Sequence, residues 1–492
     1  MPSHVGCHSP FSVSPALPEQ FTERLSPCPS VGRARGAPTV GYRELAANRS
    51  FLSLSLAGAG SFAAPTASLV VLLYSIAITF SSSAHPIELG ALALAFLGLS
   101  STVPTLVTAV FAGTVADRAN RRRLLRWVNA AALVATLAIA FLLYLRPAAP
   151  VSIGGSAGFY FPEWILLLYP LWALETTAVT LFRPAFNASV PLLVSRAQLG
   201  RANGLVYALA LAFSIVGSLA AGAATNASGP AVALLIPVGF FLATQLFLFG
   251  VVDPISAPRE GPLAPFLREA KEGYRFLYER RPLLGLTLAA LAINFFSAVA
   301  FVELGLYVVN WLQVNAAVLV GAMMSGGSLG AAAGTLLVNR FHFERRAGQY
   351  LVVLVVLQGV TVAVLGLVRT IWLALPDMFL FGLFPGMFTT IFFATIQATV
   401  PNSILGRVLA ADEVGSFAMI PVGQYVGGFA TAVAGIPFTY IIAGIGTTTV
   451  GLLMALYGGL RRLGFSPAEG GGEVGSLTPP TPLHESDAGV IE

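Results

Sequence analysis

Residues 113–145 read GTVADRANRRRLLRWVNAAALVATLAIAFLLYL, and the fold of the whole chain can be argued from this stretch. A small residue, an acid four places on and a cluster of arginines give way to an apolar run that ends at Leu145. The run has the roughly 20 residues a helix needs to cross a bilayer's hydrocarbon core, and the arginines stand where such a helix meets the headgroups.

The same kind of run recurs along the chain. Spans are expected near 51–80, 88–111, 124–145, 164–186, 203–226 and 229–252, then near 283–311, 316–338, 349–368, 371–399, 408–433 and 436–460. Of the 492 residues 56% are hydrophobic and 10% charged, against the roughly 25% charged of a soluble domain. Membrane-crossing strands alternate apolar and polar residues; these segments are apolar all round. The expected fold is an all-α integral membrane protein of twelve transmembrane helices.

Basic residues sort by loop. Arg118, Arg121, Arg122, Arg123 and Arg126 follow span two, Arg196 and Arg201 follow span four, and Arg340, Arg345 and Arg346 follow span eight, while the alternate loops hold only Arg146 and Arg369. The positive-inside rule then puts both termini and the arginine loops in the cytoplasm of a cell whose plasma membrane holds the protein. Residues 1–48 and 461–492 lack periodicity and read as disordered tails. Between the half 49–252 and the half 283–460 lies a linker, 253–282, in which Phe266, Leu267, Ala270, Tyr274 and Leu277 share one face of an amphipathic cytoplasmic helix. Cys7 and Cys28 both precede the first span and suggest neither a metal site nor a disulfide framework.

The halves repeat. Setting Pro191 on Pro401 superposes Phe182 on Phe392, Asn187 on Gln397, Ala188 on Ala398, Ser189 on Thr399 and Val190 on Val400, and a Gly-Arg pair follows each proline at Gly200-Arg201 and Gly406-Arg407. Repeats of six spans are the architecture of carriers that open a midplane site to either side in turn.

The stretch Gly113-Thr-Val-Ala-Asp117-Arg118-Ala-Asn120-Arg121-Arg122 resembles the signature loop of the major facilitator superfamily, G-x-x-x-D-[RK]-x-G-[RK]-[RK], with Asn120 in place of a glycine. Asparagine suits a turn that needs positive φ better than bulky residues do. The resemblance implies a cytoplasmic gate in which Asp117 faces the N-terminus of a helix in the opposite half. The individual arginines can equally anchor to anionic headgroups. The copy after span eight, Gly334 to Arg340, has Asn339 where the acid would stand. Residues PAFNASVPLLVSRAQLGRANGL and ATVPNSILGRVLAADE are similar to the branch of macrolide-efflux and enterobactin-export carriers. This implies a secondary active, proton-coupled exporter of amphiphilic small molecules such as drugs or siderophore-like compounds.

Ionisable groups inside spans are costly unless they face a cavity or a partner. Glu303, well inside span seven with Tyr307 and Asn310 on the same stripe, is the first candidate for proton coupling, and Glu175, midway along span four, the second. A carboxyl in such a place takes up and releases its proton as water reaches it, which coupled exchange requires. Each can instead hold two helices together by a hydrogen bond. Asp377 stands about one turn inside span ten. Arg183 and Arg201 on one half, and Arg407, Asp412 and Glu413 on the other, are expected at a second set of gate loops, the two acids capping the start of span eleven. Span one carries no acid, so coupling cannot reside there.

Other classes fit poorly. A nucleotide-driven pump needs Gly-Lys-[Ser/Thr], and the one lysine, Lys271, lies in Glu-Ala-Lys-Glu. Gly154-Gly-Ser156-Ala-Gly158 matches a hydrolase elbow only formally, and the five histidines lack metal-ligand spacing. Neither enzyme activity, a cofactor, a metal nor a nucleic-acid partner is expected. The partners are a small-molecule substrate, an ion gradient and the bilayer, with the chain a monomer. Import of a metabolite, or a sensor built on a carrier fold, remain the alternatives.

Overall fold

A computed structural model describes residues 45, 47–81, 87–145, 150–153, 159–195, 198–251, 266–341, 343–461 and 463–464, all within one compact unit, Tyr42–Glu492. The two cysteines, nearly all of both tails and the Gly154–Gly158 motif lie outside the described residues. Among the described residues twelve helices are long and apolar enough to cross a membrane. They are Arg49–Phe80, Ile87–Arg118, Arg121–Leu145, Glu163–Leu193, Leu199–Ser228, Pro230–Gly250, Arg281–Phe301, Ala317–Leu337, Ala347–Leu367, Ile371–Thr399, Asn402–Ala434 and Ile436–Leu456, spans one to twelve.

The packing repeats. Span one packs on five and six as seven packs on eleven and twelve; span four on two and three as ten on eight and nine; span three on six as nine on twelve. The turns repeat too: Gly229 (φ 85°) ends span five and Gly435 (φ 86°) ends span eleven, positive values that glycine adopts without strain.

Spans two with eleven, five with eight, and one with the end of seven join the halves. Glycine makes these seams possible. A Cβ on Gly222 would come within 2.7 Å of the Ala317 carbonyl, and one on Gly321 would collide with the carbonyl of Ser218, so the backbones meet directly, as small residues permit in lipid. Asn226 Oδ1 accepts from the Ala317 amide at 2.6 Å, Ser325 donates to the Ile215 carbonyl at 3.2 Å, Thr102 donates to Gln424 Oε1 at 2.9 Å, and Tyr74 donates to Asn315.

These contacts run from the end of the molecule away from the arginine loops to its middle, where Thr102 and Ile215 lie. Toward the arginine end the seams open: Gly200 and Gly204, on the face of span five that carries Gly222, and Gly406, on the face of span eleven that carries Gly428, have nothing within 4 Å of a Cβ. The halves are closed at the far end and splayed at the arginine end.

Four expectations are corrected. Span two continues as helix to Arg118, so Gly113 lies inside it and not at its end; nothing in the intervening Thr-Val-Ala-Asp stops a helix. Asn120 does not take positive φ; among the described residues only Gln313 (φ 55°) does so without being glycine. Asn120 accepts instead from the Arg123 amide at 3.1 Å, an N-cap for span three. Span eleven starts at Asn402, which leaves Asp412 and Glu413 well inside the helix and not at its start. Finally, β1 (Pro150–Ile153) and β2 (Phe159–Pro162) form a short antiparallel hairpin before span four, where the sequence reading has no strand.

The linker contains a helix, Phe266–Glu279, lying on the first part of span eleven. Leu277 is fully buried, and a Cβ on Gly273 would collide with the Arg407 carbonyl. Glu272 pairs with Arg407 at 2.7 Å.

Candidate transport site

Among the described residues Glu175, Glu303, Asp377 and Asp412 are buried acids, and Glu175 in one half and Glu303 in the other are fully so. Glu175 in span four is fully buried, and its Oε2 accepts a 2.9 Å hydrogen bond from the Thr136 hydroxyl of span three. Its Oε1 has no partner among the described residues. Ser68 of span one stands beside the same carboxyl, its buried hydroxyl in no hydrogen bond of good geometry among the described residues. Three spans thus converge on one carboxyl, which fixes its place but pairs only one of its two oxygens.

The second centre is built by a broken helix. Span seven stops at Phe301, residues 302–303 turn, Leu304–Leu306 makes a single helical turn, and Tyr307–Trp311 continues as a π-helix. Glu303 therefore sits at a break beyond the continuous helix, which corrects its expected position well inside span seven. The cause is tertiary. Gly305 is pressed so closely on the Leu73 carbonyl of span one that a Cβ could not fit. Beyond it, Trp311 donates to the Val368 carbonyl at 2.8 Å and Tyr307 donates to the same oxygen at 3.4 Å. Arg369 stacks 3.9 Å over the Trp311 ring. A break and a π-turn satisfy both anchors where a straight helix would not.

Glu303 is fully buried and neither carboxylate oxygen has a partner among the described residues. Tyr440 of span twelve is within electrostatic reach of it and holds its ring centroid 4.9 Å from that of Tyr307 at a tilt of 47°, and Tyr307 is in turn within electrostatic reach of Asp377 of span ten. The Tyr440 hydroxyl, Asp377 Oδ2 and Asn310 Oδ1 are likewise buried without partners. Unsatisfied buried polar atoms are rare in folded proteins, and a cluster of them marks a place the chain does not fill by itself. The structure thus brings Glu303, Tyr307 and Asp377 together, and adds Tyr440, which sequence reasoning did not single out. It leaves Glu175 in the other half.

The gate residues divide. The backbones of Gly113, Asp117 and Arg118 are helical, and their side chains, with that of Glu413, lie outside the described residues. Arg121 donates to the Ala188 carbonyl at 3.2 Å, tying span three to span four, and Arg122 donates to the Phe249 carbonyl at 3.3 Å. Arg183 is exposed and lies 5.2 Å over the Phe62 ring; Arg201 is exposed near the start of span five. Asp412 is buried, accepts from Ser416 at 3.5 Å and faces Tyr274 of the linker helix. Burial, and then the Asp412 carboxylate, push the Tyr274 phenol above its ordinary value.

Two pseudo-equivalent six-helix bundles, meeting along glycine seams and enclosing unpaired carboxyls at a broken helix, define a multi-pass membrane carrier. The sequence profile of the Major Facilitator Superfamily matches residues 146–411, and the chain belongs to that superfamily. Solved structures share the fold. A crystal structure of a mutant of the nucleoside transporter NupG superposes with a TM-score of 0.61 at 11% identity, covering 83% of this chain and 99% of that one. A bacterial homolog of the human lysosomal transporter Spinster, inward-facing and unoccupied, gives 0.61 at 14%, covering 87% and 100%. The POT family transporter PepTSo gives 0.61 at 14%, covering 83% and 97%. No match is found among curated protein sequences.

Proposed function

We propose that the chain is a proton-coupled exporter of amphiphilic small molecules in the plasma membrane. Its halves, 49–252 and 283–460, rock about a central site, with the termini and arginine loops in the cytoplasm. One observation carries the reading: Glu303 is fully buried with both oxygens unpartnered among the described residues, at a break in span seven that presses on the opposite half. A charge held there has nothing to offset it, so its proton comes and goes with the opening of the seam beside it. In this orientation the splayed arginine end makes the structure an inward-open state. Rocking apart the far seams admits water to Glu303 from outside, and its proton is exchanged for outgoing substrate.

The similarity of residues 184–205 and 398–413 to macrolide-efflux and enterobactin-export carriers supports export, as does the sparse polar content of the spans. Import of a metabolite is the second reading, favoured by the shared fold with a nucleoside transporter. A resistance screen in an efflux-deficient host, with and without a proton uncoupler, separates them: protection that the uncoupler abolishes supports export, and heightened sensitivity to a toxic nucleoside supports import.

A further inference from the structure

At the arginine end, spans three and six enclose a cleft of about 450 Å³ lined by Arg122, Arg123, Arg126, Trp127, Gln245 and Phe249, among others. It lies apart from both acidic centres, and the gate expected of 113–122, whose Asn120 and Arg122 line it, assigns it no ligand. Three guanidinium groups line it, and no carboxylate does so among the described residues.

The cations are held there. Arg122 and Arg126, four residues apart on one helical face, donate to the Phe249 and Leu248 carbonyls at 3.3 and 3.2 Å. Arg126 also stacks 4.2 Å over the Phe249 ring. The Nε atoms of both arginines are buried and unpartnered among the described residues. The start of span three adds its positive helix end. Like charges held this close repel one another, so the arrangement calls for an anion. Guanidinium forks suit a phosphate in shape as well as in charge.

The rim says where the phosphate comes from. Trp127 and Phe249 are 71% and 57% exposed and flank the basic lining. Indole rings at the ends of spans sit at headgroup level, with acyl chains on one side and water on the other. A site for a free ion needs no such apolar rim. We propose that this cleft binds the phosphate of an anionic phospholipid from the leaflet at the arginine end.

The test is quenching of Trp127 in phosphatidylcholine vesicles carrying a minority of dibrominated phosphatidylglycerol or, in parallel, dibrominated phosphatidylcholine. Subtracting the signal of Trp127→Phe isolates the indole. Quenching by the glycerol lipid should exceed that by the choline lipid, and Arg123→Gln, an exposed position, should cut the excess roughly fivefold, the factor given by about 1 kcal/mol per charge. Arg122→Gln should act in the same direction, with circular dichroism checking that each variant is folded. Equal quenching by the two lipids, or an excess unchanged in the folded Arg123→Gln protein, overturns the proposal. In vesicles of pure phosphatidylcholine, a thermal stabilisation by inorganic phosphate that Arg123→Gln abolishes assigns the cleft to a soluble anion and overturns the lipid source.

Discussion

Tyr307 and Tyr440 pack with ring centroids 4.9 Å apart and planes tilted by 47°, joining the broken end of span seven to the start of span twelve. The Tyr307 hydroxyl is anchored on the Val368 carbonyl, whereas that of Tyr440 has no partner among the described residues and lies within electrostatic reach of Glu303. Removing an unpartnered buried hydroxyl gives up no hydrogen bond and relieves a desolvation cost of about 1–3 kcal/mol. Tyr440→Phe should therefore leave the melting temperature unchanged or raise it, while slowing pH-driven transport. A variant that loses stability and transport together would reduce Tyr440 to packing.

Thr136 supplies the hydrogen bond found at Glu175. Thr136→Val keeps the shape and leaves the carboxyl with neither oxygen paired, a loss on the order of 1–3 kcal/mol. The thermal midpoint of the detergent-solubilised protein should fall, and Glu175→Gln in the same background should recover part of it. Failure of that rescue would show that Thr136 acts by packing alone.

At the far end the seams tolerate no side chain at Gly321. Gly321→Leu should pry spans five and eight apart and depopulate the observed state. Spin labels at positions 74 and 315 report it, their separation lengthening relative to the unsubstituted protein. An unaltered distance distribution means that the seam yields elsewhere.

Asp117→Asn tests the gate that the loop 113–122 is expected to form. If the acid latches the arginine end when the halves close there, its loss shifts the population further toward the splayed state. Labels within 112–123 and 401–407 should then move apart. Unchanged separations leave the loop as an anchor.

The linker helix carries an alkaline signature. Burial and the Asp412 carboxylate hold the Tyr274 phenol above its ordinary value, so the folded state keeps that proton more tightly than the unfolded chain. Its stabilising contribution is complete below about pH 10 and fades as pH rises through the raised value. Protection factors in 266–279, taken relative to the intrinsic exchange rate at each pH, should fall over that range, and Tyr274→Phe should remove the fall. The Glu272–Arg407 pair is 43% exposed on both sides, so Glu272→Gln should cost no more than about 1 kcal/mol.

Twelve spans were legible because length and apolarity decide whether a helix crosses a bilayer, and neither depends on neighbours. The linker helix was legible from its one apolar face. The break at residues 302–303 was not. Val302, Leu304 and Leu306 are as apolar as the helix before them, and the break is imposed by Leu73 against Gly305 and by Val368 beyond it. Tyr440 was illegible for a related reason: only the packing of span twelve against the end of span seven brings its ring to Glu303. Asp412 was misplaced because Asn402 to Arg407 read as loop, although the proline before them, Pro401, is the N-cap of a helix that runs on from it. Asn120 was read for its tolerance of positive φ when its side chain serves instead as a cap.

The account rests on a buried carboxyl at the break in span seven that trades protons for substrate. In inverted vesicles given a pH gradient, the protein should accumulate a reporter amphiphile, and Glu303→Gln, with its fold intact by circular dichroism, should accumulate none above the uncoupled background. Uptake by the folded Glu303→Gln protein equal to that of the unsubstituted chain would contradict it.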